Sequence, residues 1–272
     1  LQGLAQSGAF NIATQFEQTS SLLEAAGLNE DQLQLAQDFA DTIGIQYPLS
    51  ANQALDAILS LTRAGRSLEE IQFILPNASD LAALAGGDLD AVTNTLIGVA
   101  GAFQDFNDEV SGGFENIDTA ANLLAAAADV GTASVTSLSE GLANVGPTAA
   151  SAGLSLEETL AILSQFEDAN IRGAEAGTQL RSVLNSLSSN RARDELRRLG
   201  VSLYDAQGNI RSLDDVIKDI NDAYDRLGLS EAERSLSINQ LGDSYARQGL
   251  NVLLLNDGYE ETIDLMGQSD SA

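Results

Sequence analysis

Cysteine, histidine and tryptophan are all missing from these 272 residues. Without cysteine there are no disulfides, thiolate nucleophiles or thiol metal ligands, although either redox compartment tolerates such a chain. Without histidine the chain alone builds no Ser-His-Asp triad, no HExxH zinc site and no imidazole base. Aromatic residues make up 5% against 44% apolar residues in all, so Ala and Leu must fill the interior. That favours close-packed helices over a β sandwich. Bases are scarce too: 13 Lys and Arg face 40 Asp and Glu, for a net charge of −27, and Lys218 is the sole lysine. No base precedes Arg63 and none lies between Arg66 and Arg172. Such a surface repels phosphates, so neither sequence-independent nor direct sequence-specific nucleic-acid binding is expected. An Arg-rich, Lys-poor, acidic surface also suits a saline environment, with ordinary solubility as the simpler alternative.

Long apolar runs are absent as well. The uncharged run from Ala91 to Gln104 falls short of the roughly 18 residues of a spanning helix and contains Thr93, Asn94 and Thr95, so no membrane span and a soluble segment are expected. The chain starts at Leu1, holds only Met266, and has no signal-peptide pattern at its start, which suggests a piece of a longer polypeptide or a processed form.

What the chain has is a recurring helix corner. It reads Gly27-Leu-Asn-Glu-Asp, Gly65-Arg-Ser-Leu-Glu-Glu, Gly153-Leu-Ser-Leu-Glu-Glu and Gly228-Leu-Ser-Glu-Ala-Glu. Each offers Gly as a left-handed helix stop, Ser or Asn as the next N-cap, and acids in the first turn, where the helix dipole favours them. At the third corner, Ser155 and Glu158 form a capping box, and Leu156, Leu160, Ile162, Leu163 and Phe166 follow at roughly helical spacing. Pro147 suits a first helical turn, so a new helix is expected there. The second and third corners share G-x-S-L-E-E and suggest an old duplication, but two copies with unequal flanks make no solenoid.

Helices are expected over about 3–26, 30–44, 50–64, 67–74, 78–86, 88–109, 115–129, 134–144, 147–152, 155–168, 173–188 and 191–199, with Gly112-Gly113 as a break. After Gly200, Val201, Leu203 and Ile210 flank Asp205-Ala-Gln-Gly-Asn and predict a small β-hairpin near residues 201–211, followed by a helix capped by Ser212 and others to about Gly267. The fold class is therefore mostly α: a multi-helix bundle with one hairpin. Its divisions are an N-terminal helical arm over 1–49, a helical core over 50–199, and the hairpin plus C-terminal helices over 200–272.

One stretch is more specific than the rest. The order V-G-P-x-A-A-x-x-G-x-S-L-E-E, then N-I-x-G-x-x-A-G-T-x-L-R, resembles the core domain of the tape measure proteins of long-tailed phages and related viruses. Gly173, Ala176, Gly177, Thr178, Leu180 and Arg181 stand in the matching order, and the likeness continues from Leu196 to Asp215. It extends weakly from about Ala51 to about Gly249, leaving the first fifty residues unmatched. The resemblance implies a non-enzymatic virion protein that lies along the tail lumen or tip, sets tail length, templates tube assembly and is expelled ahead of DNA. It also implies tail-tube, tail-tip or baseplate proteins and assembly chaperones as partners, self-association in several copies with a trimer as the expected form, and host cytoplasm as the place of assembly.

Other constellations read more plainly. Asp205, Gln207 and Asn209 alternate like the start of a calcium loop, but Ile210 and Val216 stand where its Gly and closing Glu belong. Gly173-Ala-Glu-Ala-Gly177-Thr178 lacks the lysine of a phosphate loop, and with Gly153 and Ala176 it reads as a helix-packing motif. Glu69/Glu70 and Glu157/Glu158 are first-turn acids; like Glu260/Glu261, they do not face one another across a cleft as a glycosidase pair would. Ala120-Ala121 and Ala125–Ala128 permit tight helix pairing, and Phe103, Phe106 and Phe114 are expected to anchor the core near a helix end, with exposed assembly contacts as the alternative. Arg191, Arg193, Arg197 and Arg198 either form a solvated face paired with nearby acids or dock an acidic neighbour. No catalytic, cofactor or metal residue is expected. The alternatives to a tail protein are a cellular helical adaptor and, further off, a cell-wall hydrolase segment.

Overall fold

The computed structural model describes residues 2–84, 86, 88–103, 114–205 and 211–269. Among them the chain forms fourteen helices: α1 (Gln2–Ala25), α2 (Glu30–Gln46), α3 (Ala51–Arg63), α4 (Leu68–Leu84), α5 (Leu89–Ala102), α6 (Phe114–Val130), α7 (Val135–Ser151), α8 (Leu156–Asp168), α9 (Ala174–Leu187), α10 (Asn190–Leu199), α11 (Leu213–Arg226), α12 (Glu231–Leu241), α13 (Ala246–Leu255) and α14 (Glu260–Ser269). They fall into two units. The first comprises Leu1–Ala100 and Asp108–Ala121, and the second Gly101–Asn107 and Asn122–Ala272.

The four glycine corners close in one way. Gly27, Gly65, Gly153 and Gly228 have φ of 109°, 83°, 84° and 63°, a region that costs glycine little. The N–H one residue further on, as in Leu154 to Ala149 O at 3.0 Å, reaches back five residues to close the helix. Capping boxes follow at Asn29/Gln32, Ser155/Glu158 and Ser230/Glu233, and Ser67/Glu70 bond reciprocally in the same pattern. Among the described residues, Asn170 (φ 63°) and Asp257 (φ 55°) are the two non-glycine residues that take the left-handed turn.

In the first unit α3 is the axis. Ala54, Leu55, Ala57, Ile58, Leu59 and Leu61 are buried, and the helix packs against α1, α2 and α4. Thr19 donates to Asp56 at 2.7 Å, and Gln37 to Ser20 at 2.8 Å. In the second unit the axis is α8, buried continuously from Thr159 to Glu167 and contacted by α7, α9, α13 and α14. Most of its buried polar groups find partners, the Gln165 carbonyl oxygen excepted. Ser164 bonds Ala127 O, Gln165 bonds Gly258 O, and Glu167 accepts from Gly173 N–H at 2.7 Å and from Ser137 Oγ.

Three expectations change. The helices expected at 67–74 and 78–86 are one helix, α4, with Pro76 inside; those at 134–144 and 147–152 are likewise one, α7, with Pro147 inside. Each proline removes one N–H from the ladder, but Leu75 and Ala78, or Val145 and Ala149, stay buried on either side and carry the helix across. The hairpin is the third correction. Tyr204 makes an isolated bridge and Arg211 N–H donates to Leu203 O at 2.9 Å, but no strand pair forms among the described residues. Val201 to Tyr204 is too short a run to sustain a ladder without a further strand to pair with. Residues 206–210 lie outside the described residues, as do 104–113 with Phe106 and the Gly112-Gly113 break, and the Phe114 side chain.

Candidate assembly surface

Ser189 caps α10 by accepting from Ala192 N–H at 3.2 Å, and Gly200 (φ 77°) closes it. Ala192, Leu196 and Leu199 recur at i, i+4 and i+7 and are buried where α10 meets α11 and α12. The four arginines therefore start near or on the outer side of the helix, but they divide into two pairs.

Arg191 and Arg198 work within the fold. Arg191 reaches the open end of α12, where Nε donates to Gln240 O at 3.0 Å and Nη2 to Gly242 O at 2.7 Å and to Asn239 O. A cation there satisfies carbonyls that the helix leaves unpaired. Arg198 grips Glu195 through two bonds of 2.8 and 2.6 Å, and Ser237 donates to the same carboxylate. The Arg198 hydrogen bond, helped by Ser237, holds the Glu195 carboxyl below its ordinary range against the opposing effect of burial. Next to this pair, burial pushes the Tyr224 phenol up, and the Arg234 guanidinium lies 5.6 Å from the centre of its ring. Arg226 returns the favour to α10, donating to Leu199 O at 2.8 Å.

Arg193 and Arg197 face solvent. Arg197 meets Asp194 at 2.8 Å with both side chains about three-quarters exposed (77% and 75%), and such a pair contributes little. The Arg193 side chain makes no hydrogen bond or ion pair among the described residues; its backbone N–H donates to Ser189 O at 3.0 Å. They are the part of the cluster with charge to offer outward.

The small residues do something different. Gly177 presses α9 on α7 so closely that a Cβ there would lie 2.1 Å from Gly141 O and 2.9 Å from Asn144 Cβ. Gly141 in turn leaves room for Leu163, whose Cδ atoms would stand 3.1 and 3.2 Å from its Cβ. At Gly173 (φ 54°) a Cβ would meet the Glu140 carboxylate at 2.4 Å, and Ala176 is buried on the same side. Gly153 is different in kind: it turns the chain and has open space around it. Thr178 stands off the crossing, its hydroxyl bonded back to Ala174 O at 2.8 Å. The sequence reading missed Gly141, the other half of the crossing. Its signal was a lone glycine inside a helical pattern, where propensity disfavours it and packing is the usual reason. Among the described residues no group of acids is arranged to hold a metal ion, and no helix is long and apolar enough to cross a membrane.

A model of the phage-related minor tail protein family matches residues 33–242, well over half of the chain. The chain belongs to that family. The match runs from α2 to the end of α12 and so contains the α7–α9 crossing and all of α10. The chain is 32% identical over 269 residues to a tape measure protein of Pneumococcus phage Dp-1, covering 98% of this chain and 22% of that protein. It is 29% identical over 245 residues to a probable tape measure protein of Escherichia phage P2, covering 88% of this chain and 29% of that protein. The chain thus spans between a fifth and a third of the length of these relatives. No solved structure matches it.

Proposed function

We propose that this chain is a folded module of a phage tail tape measure protein, a structural component of the virion tail and not an enzyme. The observation that carries the reading is the likeness to two tape measure proteins over 98% and 88% of the chain, beside a family match that holds the central helices. A ruler encodes length through helix rise, about 1.5 Å per residue. Here the helices are interrupted at every glycine corner and fold back on α3 and α8, so the module serves to anchor or join the ruler and not to extend it. In this reading it sits in the tail lumen or at the tip, meets tail-tube, tail-tip or baseplate proteins and assembly chaperones, self-associates as a trimer, passes through the host cytoplasm during assembly and leaves ahead of the genome. Arg193 and Arg197 are its docking contacts for an acidic neighbour, and the helical arm, core and C-terminal divisions are its working parts.

The test is genetic. A phage whose tape measure gene lacks the α7 to α10 segment, residues 135–199, should assemble no tails of normal length in electron micrographs. Normal tails in normal numbers would overturn the proposal.

A further inference from the structure

Along α14, from Glu260 to Gln268, only Met266 is buried. The helix also has no cap of its own. The preceding residue, Tyr259, is buried and sends its hydroxyl to Glu158 Oε1 at 3.1 Å, away from the helix start. The cap comes from α11 instead: Asp214 Oδ1 accepts from the N–H of Tyr259 at 2.6 Å and of Glu260 at 3.2 Å. The approach is close enough that a Cβ on Gly258 (φ 99°) would fall 2.1 Å from that oxygen. Lys218, one turn after Asp214, bridges its carboxylate at 2.7 Å to that of Glu260.

The remaining attachments are polar as well. Gln165 of α8 donates to Gly258 O and Thr262 Oγ1, both at 3.0 Å, while its own carbonyl oxygen is buried without a partner. Asn221 donates to Leu254 O and Asp257 Oδ1, both at 2.8 Å. On α8, Glu158, Ile162 and Gln165 lie at i, i+4 and i+7, on one face, and Ile162 is fully buried.

We propose that α14 and the corner at residues 256–259 form a strap that lifts off α8 as one piece, uncovering the Glu158–Ile162–Gln165 face while the α7–α9 crossing stays closed. Most of the strap's attachments are polar, and water replaces hydrogen bonds at small net cost; Tyr259 and Met266 are the large side chains that give up full burial, beside Gly258. The crossing loses backbone contact if it opens, so it stays. Asp214 is the latch, because its one oxygen holds the start of the strap. This inference stands independently of the tail reading.

The absence of native cysteine makes the test clean. In the chain carrying Ile162→Cys, a thiol reagent should label the new side chain faster than in Leu163→Cys, where the residue faces Gly141. Adding Asp214→Ala should speed labelling of Ile162→Cys at least ten-fold and leave Leu163→Cys unchanged. Equal rates at the two positions, or equal acceleration of both, would overturn the strap. Hydrogen exchange on the unsubstituted chain guards against variants that fail to fold: amides of 260–268 should exchange well before those of 156–168 and 174–187, and simultaneous exchange would refute the proposal.

Discussion

Two glycines of the same motif should respond differently to the same methyl group. At Gly177 a Cβ meets backbone, so Gly177→Ala overpacks the α7–α9 crossing at a cost of about 3 kcal/mol, offset by about 1 kcal/mol of helix propensity. At Gly153 nothing is near, and Gly153→Ala costs only the left-handed turn, about 1 kcal/mol. Urea denaturation followed by tyrosine fluorescence checks both, since four of the five tyrosines lie in the second unit. Asp243 gives a pH-dependent case. Its Oδ1 accepts from the N–H of Ala246 and Tyr245 at 2.8 and 2.9 Å and from Ser182 Oγ at 2.8 Å, and the Ala246 bond foremost holds its pKa below the ordinary value. A lowered folded value means stability that is present above the unfolded value of about 3.9 and fades as pH falls toward the folded one. Asp243→Ala should therefore cost about 1 kcal/mol at pH 7, as lost caps do, with the difference in Tm narrowing below about pH 4.

Between elements, two arginines of α10 bond within the fold and two face solvent, where docking is the proposed role. Arg191→Ala removes a charged donor from three carbonyls at the end of α12 and should cost about 2 kcal/mol in the same denaturation assay. Arg193→Glu with Arg197→Glu should change stability by less than about 0.5 kcal/mol, as surface changes do, while impairing tail assembly in a complementation assay. Charge alone did not reveal that division, because it depends on which carbonyls α12 leaves open 50 residues later. The glycine corners were legible because their signal is local: stop, cap and first-turn acid lie within six residues. Asn170 and Asp257 take the same turn without glycine and passed unread. Pro76 and Pro147 were misread because the buried residues beyond each proline outweigh one missing N–H. The hairpin prediction rested on turn residues and lacked a partner sheet to support it. The cap that Asp214 lends to α14 bridges 45 residues and leaves no local pattern at all.

For the molecule as a whole, the net charge of −27 with a pI near 4.1 sets how it responds to salt. At neutral pH like charges repel in both units, and the eight ion pairs given by the described residues, seven of them in the second unit, offset only part of it. Screening shortens to about 10 Å at 0.1 M salt and further above it. Raising sodium chloride from 10 mM to 0.5 M should therefore raise Tm by several degrees, because repulsion relieved exceeds attraction lost. A Tm that falls instead would mean the arginine pairs of the second unit dominate. The composition exposed this balance directly, whereas the two-unit division emerged only from the packing.

An extra residue inserted into α8 between Leu160 and Phe166 would rotate everything downstream by about 100°. The carboxylate of Glu167 would then swing away from Ser137 and Gly173 into apolar surroundings. A helix wrapped on all sides cannot be lengthened in small steps, since no face is free to absorb the twist. If the intact protein measures tails, lineages that need longer ones must add their residues elsewhere and leave this module its fixed size.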